Sequence, residues 1–201
     1  MSTAFWQPVM PFEAPPFPVR RFSVEEYHRM IAAGVLSEDE PVELLEGWII
    51  PKMPRTPLHD ATVDQTHDVL HSFLPPEWRL RVQSAITVLE SEPEPDLAIV
   101  LGPPGRYVHC HPGAADIGLL IEVADSSLPQ DRNAKQRLYA RAGVEAHWIV
   151  NLVDRRLEVY TLPSLESGYL ERQEYGLSDR VSFLVRGQVL GQIAIGDLFP
   201  A

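Results

Sequence analysis

The tightest constraint on this chain is a pair of carboxylates that interrupt apolar runs between Pro93 and Gly143. The stretch reads PEPDLAIV, a loop, LLIEVADSS, then LPQDRNAKQRLYARAG, which predicts strand, strand, helix. DLAIV and GLLIEV are short, β-branched and almost wholly apolar, as strands covered on both faces are. A carboxylate inside such a run is costly unless a cation or hydrogen-bond donors meet it. Glu122 is that residue in LLIEVA, and Asp96 opens its own strand behind prolines that force an extended approach. Two strand-borne carboxylates at neighbouring strand ends form a hard-oxygen site suited to Mg²⁺ or Mn²⁺.

Pro95-Asp96, then Glu122 in a hydrophobic strand, then a lysine, resembles the PD-(D/E)XK nuclease superfamily. More closely, the chain resembles the Uma-two family of restriction-endonuclease-like proteins. The matching segments are VELLEG, PLHDA, RVQSAITV, EPEPDLAIV, LLIEVADSS, DRNAKQRLYARAGVEAHWIV and IAIGDLF, spread over roughly residues 22–199. The resemblance implies an α/β, restriction-endonuclease-like fold, a central mixed β-sheet flanked by helices. It also implies a metal-dependent endonuclease that hydrolyses phosphodiester bonds of nucleic acid, with DNA the expected substrate. One departure matters: two residues after Glu122 stands Ala124 rather than lysine, so the ammonium must come from elsewhere. Lys135 on the following helix is the candidate, on the side shared with Leu138 and Tyr139.

The resemblance assigns roles residue by residue. Asp96 and Glu122 hold the metal, Mg²⁺ or Mn²⁺, with a backbone carbonyl near Val123. Glu43 binds a second metal or a water of the first, Lys135 orients the attacking water or offsets charge, and His59 contacts phosphate or moves a proton. Gln83 takes a supporting place. The residues by themselves leave alternatives open. Glu43 alternates with Val42 and Leu44 and reads equally as a solvated strand residue, His59 as a core histidine bonded to a carbonyl, and Lys135 as the i, i+4 partner of Asp131 on an exposed helix face.

At 201 residues the chain suits one domain with a sizeable core, residues 22–201, preceded by a proline-rich arm over 1–21. Phe5, Trp6, Phe12 and Phe17 give that arm apolar surface for docking on the domain or on a second subunit, and a homodimer is expected because cutting both strands of a duplex commonly pairs two subunits. No apolar run approaches the ~20 residues that span a bilayer, no signal peptide opens the chain, and the single cysteine, Cys110, fits a reducing cytoplasm. A net charge of −11 argues against a protein that coats DNA through a basic surface, but a bound metal inverts the local field. That acidity, with Ala124, supports a second reading: a catalytically inactive module of nuclease fold that binds nucleic acid or protein.

Along the chain, Ser23 and Glu26 form a capping box for the helix VEEYHRMIAA, and VELLEGWIIPKM reads as a hairpin turning at Glu46-Gly47. PLHDATVDQTHDVLHSFLPP predicts a helix with one face of His59, Val63, Thr66, Leu70 and Phe73. His67 and His71 have zinc-pair spacing, but Asp68 stands where a zincin needs glutamate. His109-Cys110-His111 lacks a second clustered pair and reads as loop, within a long Gly/Pro-rich insertion whose Arg106 and Tyr107 suit phosphate contact and base stacking. WRLRVQSAITVLE predicts a strand, VEAHWIVNLVDRRLEVYTLP two antiparallel strands, residues 163–180 an irregular segment, and FLVRGQVLGQIAIGDLF the closing strands and an edge segment.

Overall fold

A computed structural model describes residues 18–37 and 40–200, so most of the predicted arm, including Phe5, Trp6, Phe12 and Phe17, lies outside the described residues. The first helix, α1 (Val24–Ala32), starts where the sequence predicts: the Ser23 hydroxyl accepts from the Glu26 N–H, and the Glu26 carboxylate accepts from the Ser23 N–H. It is followed by the hairpin β1 (Val42–Leu45) and β2 (Trp48–Pro51). The turn carries Glu46 and Gly47 at φ 49° and 80°, and a Cβ at Gly47 would meet the Arg21 Cβ at 2.6 Å, so only glycine fits there.

Helix α2 (Pro57–His71) is capped by Thr56 and buries His59, Thr62, Val63, Thr66 and Leu70, the predicted stripe filled out by Thr62. It stops at His71, short of Pro75 and Pro76. A six-stranded sheet then runs in the order β3 (Trp78–Val82), β4 (Leu97–Leu101), β5 (Ile117–Ala124), β6 (Ala146–Asn151), β7 (Arg156–Ser164) and β8 (Gly168–Gly176). Only β5 and β6 are parallel. Their crossover is the predicted helix, which divides into a turn α3 (Leu128–Gln130), a π-helical segment Asp131–Lys135 and α4 (Gln136–Arg141). A second hairpin, β9 (Arg180–Val185) with β10 (Gln188–Ala194), is followed by a 3₁₀ turn over Ile195–Leu198.

Both faces of the sheet are covered. One core joins Leu119, Ile121 and Val123 of β5 to Val63 and Leu70 of α2 and Phe183 of β9; the other joins Leu120 and Ala124 to Leu138 and Tyr139 of α4. By the two-residue period of a strand, Glu122 falls between Leu120 and Ala124 on the α4 face. A third cluster of Tyr27, Val42 and Leu44 locks α1 against β1.

Two segments differ from the sequence reading. WRLRVQSAITVLE is a strand only to Val82; Gln83 turns into the left-handed region at φ 43°, and only isolated bridges follow. Residues 163–180 are not irregular: β8 pairs with β7 from Arg156↔Gly176 to Ser164↔Gly168. Its polar sequence hid it, because an edge strand whose side chains are mostly exposed is held by backbone pairing rather than by an apolar face.

A candidate acidic active site

The residues singled out by sequence come together in one cleft of about 580 Å³, lined by Glu43, His59, Asp96, Glu122 and Lys135 with Asp131 beside them. β1 supplies Glu43, which is 3% exposed; its carboxylate accepts from the Glu94 N–H at 3.1 Å and from Gln130 Nε2 at 3.3 Å. Asp96 stands immediately before β4. Its Oδ2 accepts from the Val123 N–H at 2.9 Å and lies 3.2 Å from His59 Nε2, so two elements fix one oxygen. Glu122 receives the Tyr139 hydroxyl at 2.7 Å on one oxygen and Lys135 Nζ at 3.1 Å on the other.

Lys135 is 7% exposed, so the solvated i, i+4 alternative does not describe it. Its ammonium lies 3.1 Å from Glu122, 3.8 Å from Asp131 and 3.9 Å from Glu43. Ala124 is wholly buried on the α4 face, and the crossover helix brings its lysine to the carboxylate from above that face. The π turn coincides with Asp131 and Lys135, and such widened turns recur at functional sites. Lys52, the other lysine, sits at the cleft edge paired to Glu94 at 2.6 Å.

Gln83 reaches Asp96 twice, through its N–H to the Asp96 carbonyl at 2.9 Å and through Nε2 to Oδ1 at 3.4 Å, while its own oxygen accepts from Arg55. A non-glycine residue at positive φ is held there only where its surroundings over-determine it.

Sequence reasoning missed Asp131. It is 1% exposed, and both its oxygens are buried without a well-formed hydrogen bond. The available signal was its four-residue spacing from Lys135 on the sheet-facing side. Tyr139, read only as sheet-facing, also proves to hold Glu122. Conversely, Arg106 and Tyr107 are engaged locally: Arg106 pairs with Asp116 at 2.6 Å, and the Tyr107 hydroxyl donates to the Leu101 carbonyl at the end of β4. His67 and His71 stack at 5.4 Å between ring centroids, away from the cleft lining.

Electrostatics in the cleft follow from four carboxylates around one ammonium. Burial favours a neutral Lys135, but Glu122, Glu43, Asp131 and Asp96 outweigh it and raise its pKa well above the ordinary value. Burial raises Glu122 well above the carboxylate range, Lys135 opposing and Asp131 and Asp96 adding. Burial also pushes Asp131 up to about 6 against the pull of Lys135. Asp96 goes the other way: burial is overcome by His59, Lys135 and the Val123 N–H. His59 is raised, burial being outweighed by Asp96 and Asp60.

A pH dependence follows. Carboxyls raised in the native state bind protons that the unfolded chain has already released, so their contribution is full below the unfolded pKa and is lost as pH rises through the folded one. For Asp131 that window runs from 3.8 to about 6. Without divalent metal, the melting temperature is expected to fall across it, and Asp131→Asn is expected to flatten the slope. Glu158, lowered to about 2 because Arg132, Tyr160 and Asn151 outweigh its burial, acts oppositely at more acid pH. Thermal melts in chelator from about pH 4 to 8 measure the slope.

The model of the Uma2 family, described as "Putative restriction endonuclease", matches residues 24–189. The chain belongs to the Uma2 family. Membership supports a nuclease, a hydrolase acting on nucleic acid. Among solved structures, the chain is similar to one titled a "putative nuclease belonging to DUF820" from Anabaena variabilis, with 20% identity and a TM-score of 0.68 over 89% of this chain and 97% of that one. At that identity the likeness speaks for the fold, the mixed α/β architecture expected from the Uma2 resemblance. No curated protein matches the chain. No helix among the described residues is long and apolar enough to cross a membrane.

Proposed function

We propose that this Uma2 protein is a Mg²⁺- or Mn²⁺-dependent endonuclease that hydrolyses phosphodiester bonds of DNA. The observation that carries the reading is one cleft lined by Glu43, Asp96 and Glu122, from three separate segments, with a buried ammonium paired to Glu43 and Glu122. The donor set fits a hard divalent cation: oxygens only, more carboxylates than Lys135 neutralises, and Asp131 buried without a well-formed hydrogen bond. Asp96 and Glu122 would hold the metal, with Glu43 adding an oxygen to its shell or to a second ion.

Bound there, such a cation supplies Lewis acidity toward the scissile phosphate and the attacking water. The chain's own residues do the rest. Lys135 keeps its proton and offers a compact charge to the phosphate or the attacking water. Tyr139 and the Val123 N–H hold Glu122 and Asp96 in place. His59, held against Asp96 at 3.2 Å, is in position to donate a proton or contact phosphate. The exposed thiol Cys110 suits a reducing cytoplasm as the place of action.

The test is a nuclease assay over single- and double-stranded DNA and RNA with Mg²⁺ or Mn²⁺, beside Glu122→Ala. Metal-dependent cleavage of DNA, absent in the variant, is expected. A protein that binds nucleic acid but cleaves none of these substrates would establish the inactive module instead. Cutting both strands of a duplex needs two such sites, so a homodimer is part of the proposal. Light scattering at high concentration should give twice the monomer mass, and a strictly monomeric mass would remove this part.

A further inference from the structure

We propose a second metal site, separate from the acidic cleft, in which His28, Glu92 and His111 bind a divalent cation that favours imidazole, with Zn²⁺ as its probe. The ligands come from three places that only the fold brings together. His28 projects from α1, next to Tyr27, which is packed on β1. Glu92 is 5% exposed and tied to β1 through its N–H to the Leu44 carbonyl at 2.7 Å. His111 lies in the loop before β5, which is stitched to the body by the Thr87 N–H donating to the Pro112 carbonyl at 2.9 Å.

His28 Nε2 lies 2.8 Å from both oxygens of Glu92. His111 Nε2 stands 3.9 Å from Oε1, beyond hydrogen-bond reach, so it faces the carboxylate across a gap. One ligand atom from each residue falls within 4.8 Å of the others. Bonds of ~2.0–2.1 Å to a tetrahedral Zn²⁺ put donor atoms ~3.4 Å apart, so small side-chain rotations close the set. The two imidazole rings stand edge-on at 65° with their centroids 6.2 Å apart, so they do not stack over one another. Thr87 donates its hydroxyl to Glu92 Oε2 at 3.2 Å and holds the carboxylate from behind, as outer partners of metal ligands do.

Two imidazoles with one carboxylate prefer Zn²⁺ over Mg²⁺, which wants oxygens throughout. With three protein ligands the site keeps an open position, and a cavity of about 370 Å³ lined by Glu92 and His111 gives access. That cavity shares Glu40, Lys52, Gln83 and Glu94 with the acidic cleft. An ion here would therefore clasp α1 and the long loop to the wall of the cleft. The site stands whether or not the cleft is a nuclease centre.

The test is calorimetric titration of the chelator-treated full chain with Zn²⁺ in excess Mg²⁺, with Co²⁺ absorption in the visible as a coordination signature. One equivalent is expected, with tetrahedral Co²⁺ bands. Either His28→Ala or His111→Ala should weaken binding at least ~100-fold, more than loss of an outer partner does. Both side chains are substantially exposed, at 49% and 38%, so these variants fold; Glu92→Gln tests the buried ligand. Glu122→Ala should bind Zn²⁺ like the wild type. The rival is the stacked pair of half-buried His67 and exposed His71. Binding lost in His67→Ala but kept in His28→Ala would overturn the proposal, as would no stoichiometric binding at all.

Discussion

Mg²⁺ or Mn²⁺ is expected to raise the melting temperature of the wild type, and Asp96→Asn and Glu122→Gln are each expected to erase that rise. A cation bound only by the native state at 100 times its Kd adds about 2.7 kcal/mol, roughly 5–10 °C for a domain of this size. The isosteric amides keep the packing and remove the charge. An amide oxygen at position 96 would still accept the Val123 N–H, and one at position 122 would still accept the Tyr139 hydroxyl, so the fold should persist. In chelator the double variant is expected to melt at or above the wild type, because Lys135 retains Glu43 and Asp131 while the crowded carboxylates are relieved. Differential scanning calorimetry with and without metal reads both effects. An unchanged metal response in both single variants would sink the assignment of the site.

Lys135→Ala is expected to lower turnover by about 10²–10³-fold while leaving metal affinity intact or tighter. Its ammonium sits among four carboxylates, so a divalent ion must share its field. On the proposed mechanism, removing it would free negative charge for the metal but take away the proton-bearing group that would stand beside the attacking water. Lys135→Arg should rescue poorly, since a guanidinium is wider than an ammonium at a position only 7% exposed and spreads its charge. Lys52→Ala is the control: that ammonium is committed to Glu94 at 2.6 Å on a partly exposed edge, worth about 1 kcal/mol or less. Single-turnover cleavage beside metal titration separates the two quantities. Wild-type turnover in Lys135→Ala would reduce the residue to a counter-ion of the fold.

Much of this protein was legible in its sequence because the governing signals are local. Short, β-branched, almost wholly apolar runs marked β4 and β5, the Ser23/Glu26 box marked α1, and Glu122 stood out because an apolar strand tolerates a carboxylate only for a reason. The resemblance called for a lysine where Ala124 stands and so pointed to Lys135, on a crossover helix readable from its own sequence.

What the tertiary structure alone decided is long-range. Whether Glu43 is solvated or buried depends on Glu94 and Gln130 arriving from distant segments, and whether Asp131 is a surface partner or a fourth carboxylate depends on how the crossover helix lies on the sheet. β8 escaped notice because an edge strand is specified by the hydrogen bonds of its neighbour, which leave no periodic mark on its side chains. The meeting of His28, Glu92 and His111 was likewise invisible: the first two are 64 positions apart, and only packing of α1 on β1 brings them within 2.8 Å. Periodicity and buried charge fix elements and candidate residues one at a time; which of those residues share a site is set by the packing of elements far apart in the chain.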